Sequence, residues 1–206
     1  MQSKDEILSK DTRWTHVSSD STLTSAAHAI LVIAFLGWIM ALPLFPSQDG
    51  PVHLFYTDVL RSLLFSPGTH FAHYFTVKHL LPPYSLYYYL LMGLEGLTSF
   101  VTADKLVVCL YVVSFAFGFR YMARAMGPSG NAVSLLALPL LFNWALFTGL
   151  TSFLLSTTLV FWTAGLWARN AAQPSSLKRF AFLGLVFLTM LSHPVPLALQ
   201  IGRAHV

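Results

Sequence analysis

Cysteine is nearly missing from this chain: Cys109 is the single thiol in 206 residues. One thiol excludes a disulfide framework and a cysteine-based metal site. Charge is scarce too, at 10% of residues against 55% hydrophobic and 15% aromatic, with a mean hydropathy of +0.64. That balance excludes a soluble domain, because a core of this size cannot hide so much apolar surface. Twelve Lys and Arg outnumber eight Asp and Glu, for a net charge of +4. The basic side chains are scattered at the ends of apolar runs, which excludes a nucleic-acid patch and fits membrane topology. No small-x-small cleavage pattern follows the first apolar run, and the run is too long for a secretory signal, so it reads as an anchoring helix.

What the sequence does hold is a series of apolar segments. Six candidates lie at 26–45, 84–102, 106–123, 132–150, 152–168 and 180–200, each close to the ~20 residues that cross a ~30 Å hydrocarbon core. Backbone groups in lipid have no water partner, so these segments are expected to be helices. The predicted fold class is all-α: a polytopic integral membrane protein with about six transmembrane or membrane-embedded helices. Residues 1–24 are polar and lack apolar periodicity, which predicts a mobile cytoplasmic tail ahead of a membrane domain over 25–200.

A simple count of crossings conflicts with the charges. With a cytoplasmic N-terminus and six crossings, Arg120, Arg124, Arg169, Lys178 and Arg179 all fall outside, against the positive-inside rule. One net crossing between Pro83 and Arg120 returns both basic clusters to the cytoplasm and brings Asp49, Gly149 and His193 to the outer face. The segment 84–102 is the weak one, since it carries Glu95, two glycines, Thr98 and Ser99.

The one long connection, 46–83, is expected to be extracytoplasmic, and long connections tend to be functional. Asp49 can cap a helix there and Pro51 suits its first turn. Val52, Phe55, Val59, Leu60, Leu63 and Leu64 then form one stripe before Ser66-Pro67-Gly68, which predicts an amphipathic helix at the membrane interface. His53, Thr57 and Arg61 recur at helical spacing on a second, polar face.

Asp49 has two readings: a helix cap at the interface, or a carboxylate placed for chemistry at the outer end of the first span. The stretch Asp49-Gly50-Pro51-Val52-His53 and the run Leu81-Pro82-Pro83-Tyr84-Ser85-Leu86-Tyr87-Tyr88, which looks like a Pro-Pro-x-Tyr-Tyr helix entry, resemble the GT-C superfamily. These are polytopic glycosyltransferases and include protein O-mannosyltransferases and lipid A aminoarabinose transferases. The resemblance implies a sugar carried on a polyprenyl phosphate, transfer on the extracytoplasmic face of a bacterial cytoplasmic (inner) membrane, and Asp49 in the acidic position that acts as base or metal-linked carboxylate. The chain departs from the family in having no acidic residue paired beside Asp49.

Such a transfer needs a carboxylate to take the acceptor proton and cationic or hydrogen-bonding groups to hold the departing phosphate. Asp49 is the catalytic candidate. The substrate-binding candidates are His53, Arg61 and Lys78, with Glu95 and His193 from the apolar segments. Arg61 and Lys78 also suit anionic lipid headgroups. His70, His73 and His79 invite a zinc reading, but no nearby Cys or Glu completes a tetrahedral set. No metal site is therefore assigned, and the sequence does not require a divalent ion. Tyr74, Phe75, Tyr84, Tyr87, Tyr88 and Tyr89 read as an aromatic belt, with stacking on a sugar ring as the alternative.

Glu95 is ionisable within an apolar window, which points to function or to a water-filled bend. His193-Pro194-x-Pro196 releases backbone carbonyls or simply kinks a helix. The partners expected are the bilayer and a polyprenyl-phosphate-linked sugar, with no nucleic acid. The rival classes are a transporter or channel subunit and a non-catalytic multi-pass subunit. Residues 201–206, IGRAHV, back-translate in one frame to a common sequencing adapter, so the gene is expected to continue past about residue 200.

Overall fold

The computed structural model describes the backbone of residues 4–203 apart from 67 and 128, and side chains over 22–198 apart from 67, 128 and 172. The described residues form helices and no strands. The elements are α1 (Lys4–Ala41), α2 (Gly50–Phe65), α3 (Ser85–Glu95), α4 (Phe100–Met126), α5 (Gly130–Val133), α6 (Trp144–Thr148), α7 (Thr151–Ala172), α8 (Ser176–Ser192) and α9 (Pro194–Arg203). Short 3₁₀ segments occupy His70–His73 and Ser134–Leu140. The segment expected to be a mobile tail is helical from Lys4 and continuous with α1.

Four segments among the described residues are long and apolar enough to cross a membrane: Thr22–Ala41, Phe100–Met126, Gly130–Thr148 and Thr151–Ala171. The other two runs expected to be membrane-embedded, 84–102 and 180–200, do not each form one helix of that length. The run 84–102 fails because α3 has only 11 residues, about 16 Å of helix, and the chain then turns at Gly96–Ser99 before α4. The run 180–200 is broken at His193, which is extended (φ −163°, ψ 134°) because it precedes Pro194 and proline disfavours a helical neighbour before it.

The third span is irregular, and neighbouring side chains make it tolerable in lipid. Pro139 lies inside its 3₁₀ segment, which ends at Leu140, and the carbonyls at that end have no water partner in lipid. Tyr111 Oη of α4 donates to the Leu141 carbonyl at 3.1 Å, and Asn143 Nδ2 donates to the Leu140 carbonyl at 3.0 Å. Asn143 Oδ1 also accepts from the Leu146 amide, capping α6.

The core lies where α4 meets α7, α1 and the third span. Val107, Tyr111, Val112 and Leu141 are fully buried there. Small residues let α4 and α7 approach closely, as helices in membranes commonly do. A Cβ added at Gly118 would sit 2.7 Å from Trp162 Nε1, and one at Gly165 2.5 Å from the Tyr121 ring.

α1, α4, the third span and α7 alternate in direction, so polar groups sort to two ends. At one end Arg120 donates to Ser25 and Ser134, Arg169 donates to the Tyr121 carbonyl with its guanidinium 3.7 Å above that ring, and Lys178 donates to the Gln173 carbonyl. At the other end Lys105 Nζ donates to the Met40 and Leu42 carbonyls at 3.1 and 3.0 Å, holding the end of α1 against the start of α4. Cations suit a helix C-terminus for this reason. Asp49, Gly149 and His193 share this second end.

Candidate functional site

α2 packs its His53–Thr57 side inward: Thr57 is buried and His53 half-buried. The apolar stripe divides, with Val59 buried, Leu60, Leu63 and Leu64 half-buried, and Val52 and Phe55 exposed together with Tyr56 and Phe65, as they would be towards lipid. Arg61, expected on the same face, is exposed. Phe55, Phe71 and Phe75 pack edge to face outside α2, closing the connection over it.

Asp49 stands at the N-cap position of α2, as its spacing with Pro51 predicts, yet its side chain makes no capping hydrogen bond. The backbone explains its position instead. The Gln48 and Asp49 amides donate to the Phe147 and Thr148 carbonyls at 2.8 and 3.1 Å, so the end of the first span is stitched to the turn between α6 and α7. Gly149 has φ +91°, and a Cβ there would lie 3.0 Å from Asp49 Cβ. Only glycine fits both demands without strain.

His53 lies one turn on from Asp49. Its Nδ1 is 3.0 Å from Tyr88 Oη, and its ring meets Tyr87 and Tyr88 edge to face. Burial pushes the imidazole pKa down, while the Asp49 charge and a contact with the Gly149 backbone partly oppose that. The ring is therefore mostly neutral at pH 7, able to accept at one nitrogen and donate at the other. Burial likewise pushes the Tyr88 phenol up, so it stays protonated.

No protein-family model, curated protein or solved structure matches the chain. Its chemistry rests on the geometry of its own residues.

The candidates divide into four groups. Asp49 and His53 come together with Tyr87, Tyr88 and the Gly149 turn. Glu95 lies apart at the end of α3, 7% exposed with neither carboxylate oxygen hydrogen-bonded. Burial pushes its pKa up to about 7, while Arg61 opposes the rise and Asp58 adds to it. Lys78 sits elsewhere, lining a groove of about 380 Å³ with Leu63, Phe75, Val77 and His79. His193 packs against Tyr84 and Phe153 at the start of α3 and α7. Among the described residues no three of His, Cys, Asp and Glu converge as a metal-holding group.

Sequence reasoning missed Asp104, Lys105 and Thr151. Asp104 is 4% exposed and its charge acts on Tyr87, which the Thr151 hydroxyl also faces. The available signal was the adjacent pair Asp104-Lys105 inside an apolar run, since ionisable groups at membrane depth are functional by default.

Proposed function

We propose that this chain is a membrane glycosyltransferase of GT-C type that transfers a sugar from a polyprenyl-phosphate donor on the extracytoplasmic face of a bacterial inner membrane. The observation that supports this reading is the pairing of an uncapped Asp49 carboxylate with a neutral His53 imidazole, at the end of the helices opposite the basic cluster. The positive-inside rule puts the Arg120–Arg169 end in the cytoplasm, and the Asp49 end outside. There Asp49 takes the proton of an acceptor hydroxyl as its oxygen bonds to the anomeric carbon. The bond from that carbon to the phosphate oxygen breaks, and polyprenyl phosphate leaves with the electron pair. His53 and Tyr88 orient the reacting groups through hydrogen bonds.

The test is transfer of labelled sugar from polyprenyl phosphate in proteoliposomes. Asn replaces Asp at a helix start almost without loss, so Asp49→Asn keeps its melting temperature. A general base contributes ~10²–10⁴-fold in rate, and transfer should fall by that much. Undiminished transfer by Asp49→Asn would end the catalytic assignment.

A transporter is the second reading, favoured by Glu95, a buried carboxylate without partners. It requires proton-coupled uptake by the same proteoliposomes, lost in Glu95→Gln.

A further inference from the structure

The chain enters α3 through a turn at Pro82-Pro83-Tyr84-Ser85, closed by the Ser85 amide donating to the Pro82 carbonyl at 3.2 Å. Tyr84 has φ 75° and ψ −7°, the third-position geometry of a type II turn, where glycine is favoured because a side chain is strained. Among the described residues it is the one non-glycine with positive φ. Nothing in the turn itself calls for an aromatic residue. What the conformation does is set the half-exposed Tyr84 ring against His193, centroids 4.8 Å apart with planes at 89°.

His193 is held from several sides. Phe153 meets it at 5.4 Å and 87°. The Val195 amide donates to His193 Nδ1 at 3.2 Å, which places the ring proton on Nε2 when the imidazole is neutral. Its carbonyl accepts from Ser156 Oγ at 3.0 Å. Two aromatic rings and a fixed N–H donor thus gather where α3, α7 and α8 meet. Burial also holds the imidazole below its ordinary pKa.

We propose that Tyr84, Phe153 and His193 form a binding subsite for a carbohydrate ring, with Tyr84 kept in its left-handed conformation to serve as a wall. A sugar offers apolar C–H faces to the aromatic rings and a hydroxyl to Nε2–H, so one ligand satisfies both halves of the set. The three rings supply no cation for a phosphate, and an N–H donor turned towards the ligand disfavours an organic cation. Phe153 is one turn beyond Gly149, which seats Asp49. The subsite rests on the glycosyltransferase reading in that its ring would belong to donor or acceptor.

Binding can be measured without transfer. The protein in lipid nanodiscs is mixed with the methyl glycosides of mannose, glucose, galactose and N-acetylglucosamine and read by saturation-transfer NMR. At least one glycoside should receive saturation from wild type, and its affinity should drop tenfold or more in both Tyr84→Gly and His193→Asn. Glycine suits the turn, so Tyr84→Gly should melt no lower than wild type. Absence of binding by wild type, or unchanged affinity in Tyr84→Gly, would overturn the subsite. Tyr84-dependent binding together with full transfer by Asp49→Asn would keep the subsite and remove the catalytic assignment.

Discussion

Glu95 offers a quantitative test of how this structure holds an ionisable group. It ends α3, outside the four spans, 7% exposed and without a hydrogen bond to either oxygen. Desolvation raises its carboxyl from the ordinary value near 4.5 to about 7, against the pull of Arg61. The folded protein therefore binds a proton that the unfolded chain has already released between those two values. Stability must then fall as pH rises from about 4.5 through 7, the reverse of a salt-bridged carboxylate. The full shift corresponds to about 3 kcal/mol above pH 8, and partial solvent screening at the end of a short helix brings the expectation to about 1–3 kcal/mol. Glu95→Gln removes the titration and keeps the shape. Melting of both proteins in one detergent from pH 5 to 8.5 reads the effect. Wild type should lose stability from pH 5 to about 7.5 and level off above that, whereas the variant should lack this loss and be more stable by about 1–3 kcal/mol at pH 8.5. His53 acts with the opposite sign in an overlapping window: its depressed pKa, like that of His193, lowers stability as pH drops below about 6.5, and His53→Asn removes its share of that limb. If Glu95→Gln kept the wild-type slope above pH 6, Glu95 would not be the buried, unpaired carboxyl described here.

Three further outcomes follow from particular contacts. Lys105→Met strips the Met40 and Leu42 carbonyls of their donor and should cost about 1.5–3 kcal/mol, the range for hydrogen bonds to a charged group, read by denaturant-induced unfolding in micelles. Gly149→Ala forces a side chain into φ +91° and against Asp49; at least about 1 kcal/mol of destabilisation is expected, with transfer falling further than stability alone explains, and wild-type transfer would contradict the seating of Asp49 on that turn. Alkaline carbonate should leave the protein in the membrane pellet, because four segments can span; release without detergent would refute a membrane-integral fold.

The long polar connection was legible as the place for Asp49 and His53, because a carboxylate and an imidazole four residues apart on a helix must share a face. Their environment was not. Tyr88 lies thirty-five residues from His53 along the chain, and Gly149 one hundred from Asp49. Periodicity carries no information over such separations. The same limit hid Asp104, whose place beside Tyr87 depends on how α3 folds back onto α4.

Composition and run length determined that the chain is helical and membrane-integral, since unbroken apolar runs near ~20 residues suit spanning helices and not the ~10-residue strands of a closed barrel. The amphipathic pattern of α2 was also local, fixed by 3.6-residue geometry. Which side of α2 faces the protein was a tertiary decision: the neighbours supplied tyrosines for His53, and part of the apolar stripe, Val52 and Phe55, was left outward. The number of spans was decided in the same way. Glu95, the Gly96–Ser99 turn and the His193-Pro194 break carry local signals, but only packing against α2, α4 and α7 makes a short α3 and an interrupted α8 more favourable than two full crossings. Hydropathy measures what a segment prefers by itself, whereas burial of α3 between its neighbours depends on surfaces that come together only when the chain has folded.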